Sequence, residues 1–295
     1  TELLFYFRER RLSVKDCSAL TSGLVLALFL PNHLNPLFAF FGGVFSMAVI
    51  KHSFGGLGSN WVNPAAGAWL FIRSAWPAAF NHGLEGGHLQ QLTAAVENGF
   101  RDGLGSPMNI LKINGWFSTP LDSRLANVLG QTVSSITGTS LSSQGYLSLF
   151  SSGGPGIIAD RGMLFLLLGT VLIAASQCFR FWVPAAFIGI YALFIWIFGA
   201  LPFGGPLKEG DIIFALLSGG TLAAAFILVT DPATGPKTAP GYVVFAFLFA
   251  FFTFLFRYPG LDPYGAVTAV FLVNSLVPLI RWVENKSYYE KRRQP

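Results

Sequence analysis

The side chains best suited to chemistry in this chain are polar residues that stand beside glycine and proline in an otherwise apolar sequence. Ser59 and Asn60 end a glycine-rich stretch over residues 51–60, and Asn63 stands directly before Pro64. Glycine lets the backbone come close to a ligand, and proline fits the first turn of a helix, where backbone amides are free. Such amides suit a phosphate, the edge of a cofactor ring or an ion. A plain turn at a membrane surface uses similar residues, so both interpretations stand.

Metal and thiol chemistry have less support. The chain has two cysteines, Cys17 and Cys178, with no CxxC spacing and no cluster of histidine and cysteine. Two isolated thiols do not form a ligand set for zinc or for an iron-sulfur cluster. We interpret them as inert.

Composition indicates which elements must position the polar residues. Hydrophobic residues make up 53% of the 295 residues and charged ones 11%, whereas a soluble domain averages roughly 25% charged. The apolar residues fall into two blocks, 18–79 and 162–283, on either side of a more polar stretch. A soluble fold could not hide so much apolar surface, whereas lipid surrounds it in a membrane. The net charge of +5 is therefore read by position along the chain and not as a sign of nucleic-acid binding.

The apolar pattern predicts an all-α polytopic membrane protein with about eight membrane segments, and up to ten if further short segments cross. Several are shorter than the roughly 20 residues that a spanning helix needs, which favours re-entrant paths or cover by neighbouring helices. The chain divides into a first membrane repeat over 1–80, an outward-facing excursion over 81–161 and a second membrane block over 162–295 with a basic C-terminus. The predicted segments are 18–30, 36–50, 63–79, 162–176, 181–199, 212–229, 241–256 and 264–283.

Lysine and arginine predict the orientation. If the segments alternate, the side that carries both termini collects about twice as many of these residues as the other side, which indicates cytoplasmic termini. Lys51 is counted on the terminal side and Arg257 on the outer side. Arg73 is the one ionisable residue well inside a predicted segment. We expect it either to extend toward the outer surface or to pair with a cofactor phosphate.

The two blocks contain similar strings. TSGLVLA at residues 21–27 resembles LSGGTLA at residues 217–223, and two further segments follow each string. Because the paired units would run in opposite directions, this pattern predicts an inverted repeat with sites near the middle of the membrane. Chance similarity between glycine-rich apolar strings is the alternative.

Four motifs together resemble the RnfD/NqrB family of membrane subunits, and the smaller size is closer to RnfD. They are KHSFGGLGSN followed by NPA within residues 51–65, GDIIFALLSGG at 210–220, TDP at 230–232 and NSLVPL at 274–279. The resemblance covers nearly the whole chain. It implies a subunit of an Rnf-type ion-translocating oxidoreductase, which passes electrons between ferredoxin or a nicotinamide and a second acceptor and moves Na⁺ or H⁺. It also implies that the subunit is not active alone.

Members of the resembled family carry FMN, joined through its phosphate to a threonine in a motif similar to DxxS/TGAT between the two blocks. The matching stretch is NGWFSTPLD at residues 114–122, which places the attachment at Thr119 beside Ser118 and Trp116. Asn114 stands where the motif has an acid, and a Phe-Ser pair replaces its Gly-Ala pair. Three outcomes remain open: FMN linked to Thr119, a flavin bound without a covalent link, or loss of the site.

The resemblance implies further cofactors and partners. The family holds a second flavin, riboflavin, without a covalent link between membrane helices, and Asn60 and Asn63 are the first candidates for that site. The implied surroundings are the bilayer of a bacterial inner membrane and the other subunits of an Rnf-type complex. Those subunits include a covalent flavoprotein on the outer face and iron-sulfur membrane subunits, with no nucleic-acid partner. Two other classes stay open, a secondary transporter built on the inverted repeat and a structural subunit without redox activity.

Overall fold

The described part of the chain is helical. The computed structural model describes residues 17–31, 34–53, 60–80, 157–161, 163–175, 181–199, 201–203, 207–208, 210, 212–260, 262 and 264–293. Within these ranges no strand occurs, and Pro31 and Ile157 form an isolated β-bridge. The prediction of a predominantly helical fold is confirmed.

The first block holds three long helical elements. Asn35 and Asn63 each precede a proline at the start of a helix, and each side-chain Oδ1 accepts a backbone amide two residues later at 3.0 Å. This pairing of an asparagine cap with proline in the first turn explains why the helices start at these points. The elements are α1 (Ser18–Leu28), α2 (Pro36–Phe45) with a π-helical continuation (Ser46–His52), and α3 (Pro64–Ala75) followed by a 3-10 turn (Pro77–Phe80).

From residue 157 onward the described chain holds seven α-helices, several of them short. They are α4 (Ile158–Arg161), α5 (Met163–Ala175), α6 (Trp182–Phe198), α7 (Ile212–Leu217), α8 (Thr221–Ala223) with a π-helical continuation (Ala224–Leu228), α9 (Ala239–Arg257) and α10 (Gly265–Arg293). A 3-10 turn (Leu201–Phe203) follows α6. Between α7 and α8 the backbone turns through Gly219 and Gly220, whose φ angles are 66° and 64°. Glycine adopts this left-handed conformation without a steric penalty.

Two helices of the described chain are long and apolar enough to cross a membrane, by length and composition: Ala239–Arg257 and the Gly265–Lys286 part of α10. Shorter apolar helices accompany them. Helix α1 has 11 residues, which is about 16 Å at 1.5 Å per residue and about half of a hydrocarbon core. Each predicted segment overlaps a described helix, with two main differences: the predicted segment 212–229 is interrupted at its centre, and the helix of the last segment, 264–283, continues to Arg293.

The core forms where α6, α9 and α10 pack together with α3. The rings of Phe187 on α6 and Phe249 on α9 lie 4.1 Å apart between centroids. Trp69 of α3 is fully buried, and its indole N–H donates to the carbonyl of Phe29 at 2.9 Å, which ties α3 to the end of α1. An indole N–H buried in an apolar bundle needs such an acceptor.

Polar contacts between helix ends form two layers, which we call the Asp231 end and the Asp262 end. At the Asp231 end the start of α3 meets the loop after the π-helical segment 224–228, and Glu284 of α10 meets the start of α9. At the Asp262 end Arg73 near the end of α3 meets the loop before α10. Helices α3 and α9 therefore run from the Asp231 end to the Asp262 end, and α10 runs back.

Two basic residues are buried, although the sequence pattern placed both at membrane surfaces. Lys51 is 2% exposed, and its Nζ donates to Ser18 Oγ at 2.6 Å. Arg257 is the last residue of α9 and is 0% exposed. The side chain of Arg257 therefore points into the bundle and not to a membrane surface, and the side of the membrane on which it lies stays a prediction.

Candidate functional site

A hydrogen bond between the two blocks defines the Asp231 end. Asn63 Nδ2 donates to Asp231 Oδ2 at 3.1 Å. The other side-chain atom, Asn63 Oδ1, accepts from the amides of Ala65 at 3.0 Å and Ala66 at 3.4 Å. One buried side chain thus caps α3 and joins the first block to the second. Both ends of the amide are used, so its orientation is fixed by the helix start.

Asp231 is a mostly buried carboxyl group held by hydrogen bonds. Its Oδ1 accepts the amide of Ala233 at 3.0 Å, in the turn that begins at Asp231-Pro232. Burial raises the pKa of Asp231 above its usual value, and hydrogen bonds from Ala233 and Asn63 partly oppose that rise. The result is a carboxyl group that takes up a proton more readily than an exposed aspartate.

Side chains of α10 hold the loop that carries Asp231 in place. Arg281 donates through Nη2 to the carbonyls of Ala233 at 2.9 Å and Gly235 at 2.5 Å. Glu284, one turn later, accepts from the amide of Thr238 at 3.0 Å and from its hydroxyl at 2.6 Å. These contacts organise residues 231–238 from outside the bundle, so the position of Asp231 does not depend on Asn63 alone.

Asn60 differs from Asn63 in having a side-chain oxygen that accepts no hydrogen bond from the described residues. Its Oδ1 is buried and has no hydrogen-bond partner among the described residues. A buried acceptor without a donor is costly, on the order of 1–3 kcal/mol. Of the two asparagines predicted at this site, Asn60 has an acceptor free for a ligand and Asn63 is occupied in the fold.

The opposite end carries a second link between the blocks. Arg73 Nη2 lies 2.9 Å from Asp262 Oδ1, with the two side chains 29% and 18% exposed. The guanidinium also lies over the ring of Trp69 at 5.1 Å and over the ring of Tyr264 at 5.9 Å. A carboxylate and aromatic faces both stabilise a guanidinium. The ion pair with Asp262 was not among the expectations for Arg73, and pairing with a cofactor phosphate stays a prediction.

Asp262 also organises the start of α10. Its Oδ1 accepts the amide of Tyr264 at 3.0 Å, and the Thr268 hydroxyl donates to Oδ2 at 3.3 Å. An aspartate before a proline is a usual start for a helix, and this pattern was available in the sequence. The long-range partner Arg73 was not, because nothing in the local sequence specifies it.

Several predicted residues fall outside the described part of the chain. Trp116, Ser118 and Thr119 lie there, so their prediction stands untested. Other polar residues were not anticipated: Asn274 of α10 is 0% exposed, and neither atom of its side-chain amide has a described partner. Among the described residues no group of three or more histidine, cysteine, aspartate or glutamate side chains could hold a metal ion.

These features define a class: a helical, apolar membrane protein whose two blocks are joined, among the described residues, by a polar link at each end. The chain belongs to the NQR2, RnfD, RnfE family, whose sequence pattern matches residues 1–290. It is similar to the D subunit of the proton-translocating ferredoxin:NAD(+) oxidoreductase complex of Clostridium ljungdahlii, with 28% identity over 92% of this chain and 74% of the relative.

Two further relatives carry related names. The chain is 31% identical to the D subunit of the ion-translocating oxidoreductase complex of Halorhodospira halophila, over 97% of this chain and 78% of the relative. It is 27% identical to the D subunit of the Na(+)-translocating ferredoxin:NAD(+) oxidoreductase complex of Acetobacterium woodii, over 95% and 75%. The resemblance inferred from the motifs is thereby confirmed.

Proposed function

We propose that this chain is a flavin-carrying electron-transfer subunit in the membrane part of an Rnf-type ion-translocating oxidoreductase. The observation that carries the proposal is the family match over residues 1–290, together with relatives named as D subunits of ferredoxin:NAD(+) oxidoreductase complexes. Electrons would pass through the subunit between partners on the two membrane faces. The chain would act only within the complex, because it would carry out one step of the electron transfer.

In this proposal FMN is attached to Thr119. The threonine Oγ forms a phosphoester with the FMN phosphate, and Ser118 and Trp116 stand beside the attachment point. Support comes from the stretch at residues 114–122, which resembles the family motif and lies between the two membrane blocks. An aromatic side chain such as Trp116 offers a flat apolar surface to a flavin ring.

A second flavin, riboflavin, would lie against Asn60. The unused Oδ1 of Asn60 suits an N–H donor, and a flavin ring carries one at N3. Asn63 would act as a positioning residue, because both of its side-chain atoms are occupied by α3 and Asp231. A bound flavin supplies the redox chemistry. The chain supplies the acceptor, the fixed helix start beside it and the exclusion of water.

The same proposal includes an inverted repeat of eight membrane segments. Asn63 and Asp262 occupy corresponding positions, since each precedes a proline near the start of the third helix of its repeat. They lie at opposite ends of the bundle, and each contacts a residue of the other block. An inverted repeat places corresponding residues in this way. With cytoplasmic termini, the Asp231 end faces the cytoplasm of a bacterial cell and residues 81–161 face outward.

The remaining surface fits a subunit inside a larger assembly. Helix α5 exposes large apolar side chains on most of its length, including Phe165 and Leu172, each 73% exposed. Lipid or another membrane subunit would cover them. The proposed partners are the other subunits of the complex, among them a covalent flavoprotein on the outer face and iron-sulfur membrane subunits.

The test is to produce the subunit together with its complex and a flavin transferase. After denaturation, gel fluorescence and intact mass report covalent FMN, and the released supernatant reports noncovalent flavin. We expect an FMN adduct that Thr119→Ala abolishes and Ser118→Ala retains. We also expect the noncovalent flavin to fall at least about tenfold in Asn60→Ala, with Asn35→Ala as a matched control.

The outcomes separate the candidate functions. A folded subunit with no flavin in either fraction would contradict the proposal and favour a structural role. Sodium or proton transport by the isolated subunit without flavin would favour a secondary transporter. An FMN adduct that persists in Thr119→Ala would support the proposed function but show that FMN is attached to a different residue.

A further inference from the structure

The interruption between α7 and α8 leaves helix ends inside the bundle. Helix α7 ends at Leu217, and α8 starts at Thr221 after two glycines in the left-handed conformation. The last carbonyls of α7 have no amide partner further along that helix, and together they carry a partial negative charge. In a membrane protein a broken helix is stable only when such groups find partners. Broken helices of transporters satisfy the same groups with Na⁺ or another cation.

Arg257 supplies the partners at this break. Its Nη1 donates to the carbonyl of Ala215 at 2.5 Å, to Thr221 Oγ1 at 2.6 Å and to Tyr191 Oη at 2.9 Å. Its Nη2 donates to Ser218 Oγ at 2.8 Å. The guanidinium is surrounded by four oxygens that come from α6, α7 and the start of α8, so one side chain joins three elements to the end of α9.

The hydroxyl groups around Arg257 are oriented as acceptors. Ser218 Oγ donates its own proton to the carbonyl of Phe214 at 2.6 Å. Thr221 Oγ1 donates to the carbonyl of Ser218 at 2.9 Å. Their remaining lone pairs therefore face the guanidinium. One carbonyl and three hydroxyl oxygens are hard, neutral ligands of the kind that bind cations.

No acid in the described part of the chain matches the positive charge of Arg257. Among the residues that the structure describes, no carboxylate forms a salt bridge with Arg257. The side chain is 0% exposed, so water does not solvate the charge. Oxygen dipoles and the C-terminal end of α7 are what stabilise it.

We propose that Arg257 is a tethered cation that fills the oxygen cage of the broken helix and closes this cage to free alkali cations. The break in the second block is then a fixed structural element and not a stop on the path of the translocated ion. The inference goes beyond the proposed electron-transfer function and does not rest on it, because it concerns one guanidinium and the four oxygens around it.

The experiment replaces Arg257 in the full complex and measures thermal unfolding of this subunit in different salts. Arg257→Ala empties the cage, and we expect its melting temperature to rise by about 5 °C with Na⁺, K⁺ or low millimolar guanidinium, relative to N-methylglucamine. The rise should saturate with concentration. Wild type and Arg257→Lys, which keep a tethered charge, should show no such difference.

The yield of folded protein gives an independent readout. We expect more folded subunit from Arg257→Lys than from Arg257→Gln or Arg257→Ala, because lysine retains the charge. An Arg257→Ala protein that responds to cations no more than wild type would overturn the proposal. Equal yields from all three variants, or equal failure, would also overturn it, because the charge at residue 257 would then not matter.

Discussion

Two similar strings, one in each block, have different backbones. Residues 21–27 continue through a regular helix, α1, whereas residues 217–223 form the break between α7 and α8. In the paired strings Gly23 corresponds to Gly219, and Leu24 corresponds to Gly220. The second glycine permits the left-handed turn, but it does not force one, since glycine is also tolerated within helices. What makes the break stable is the set of long-range contacts around it.

Among the described residues, such contacts surround the second string and not the first. Gly220 packs so closely that an added Cβ would lie 2.9 Å from Ile157 Cδ1 and 3.2 Å from Phe29 Cε1. Arg257 fills the oxygen cage on the other side. At Gly23 an added Cβ would meet nothing within 4 Å. Likeness between the strings therefore predicts where a helix lies, and tertiary contacts decide whether it continues.

The largest expected effect comes from placing alanine at each glycine. Gly220→Ala should lower the free energy of unfolding by about 3 kcal/mol, because alanine is strained at φ +64° and its Cβ overlaps Ile157. Gly23→Ala should be neutral or stabilise by up to about 1 kcal/mol, because it raises helix propensity in open space. Thermal and urea unfolding of the two purified variants measures the difference. Equal stability of the two would mean that the break carries no strain and tolerates a side chain.

The sequence predicted the helical segments better than their interruptions. Segments 36–50 and 241–256 match α2 with its continuation and α9 within a few residues, because proline and a polar cap mark their starts. The break at Gly219 was not predicted, since a pair of glycines in an apolar run is equally compatible with a continuous helix. The side chain that contacts the break, Arg257, is about forty positions away in sequence.

The candidate site was predicted in part for a similar reason. Asn60 and Asn63 were found from glycine and proline beside them, and Asp231 was noted as part of the TDP motif at residues 230–232. Their meeting was not predicted, because Asn63 and Asp231 are separated by 168 positions. Arg73 was expected at a surface or on a phosphate, and it pairs with Asp262. Local patterns specify a cap, whereas the partner of a side chain is set by packing between blocks.

The link at the Asp231 end is a hydrogen bond from a neutral amide, whereas the link at the Asp262 end is an ion pair. Changing the charge at each link should show which of the two stabilises the fold more. Asn63→Asp keeps the cap on α3 but places a carboxylate where Nδ2 donates to Asp231. We expect a loss of about 2 kcal/mol at neutral pH, because two like charges then face each other in a mostly buried site. The loss should shrink on acidification, since one proton removes the repulsion. Unfolding at pH 7.5 and at pH 5 measures it.

The reciprocal change at the other end should cost less. Asp262→Asn keeps an acceptor for the amide of Tyr264 and removes the charge that pairs with Arg73. We expect a loss of about 1 kcal/mol, because both side chains are partly exposed and solvent screens the pair. The loss in this variant should be the same at both pH values and smaller at high salt. If Asp262→Asn is the more damaging of the two, the link at the Asp262 end is the principal one.

The smallest expected effect is the change in stability that comes from protonation of Asp231. Burial raises the pKa of Asp231, so the folded protein holds a proton on this carboxyl at pH values where the unfolded chain has released it. The contribution of Asp231 to stability is therefore fully present at low pH and is lost as pH rises through the folded-state pKa. Asp231→Asn cannot titrate, so the stability of wild type relative to this variant should increase as pH falls from neutral. Paired unfolding curves across that range measure the trend. A wild type that becomes less stable relative to Asp231→Asn on acidification would show that hydrogen bonds from Ala233 and Asn63 outweigh burial, and the Asp231 end would then be a site for a stable charge and not for a proton.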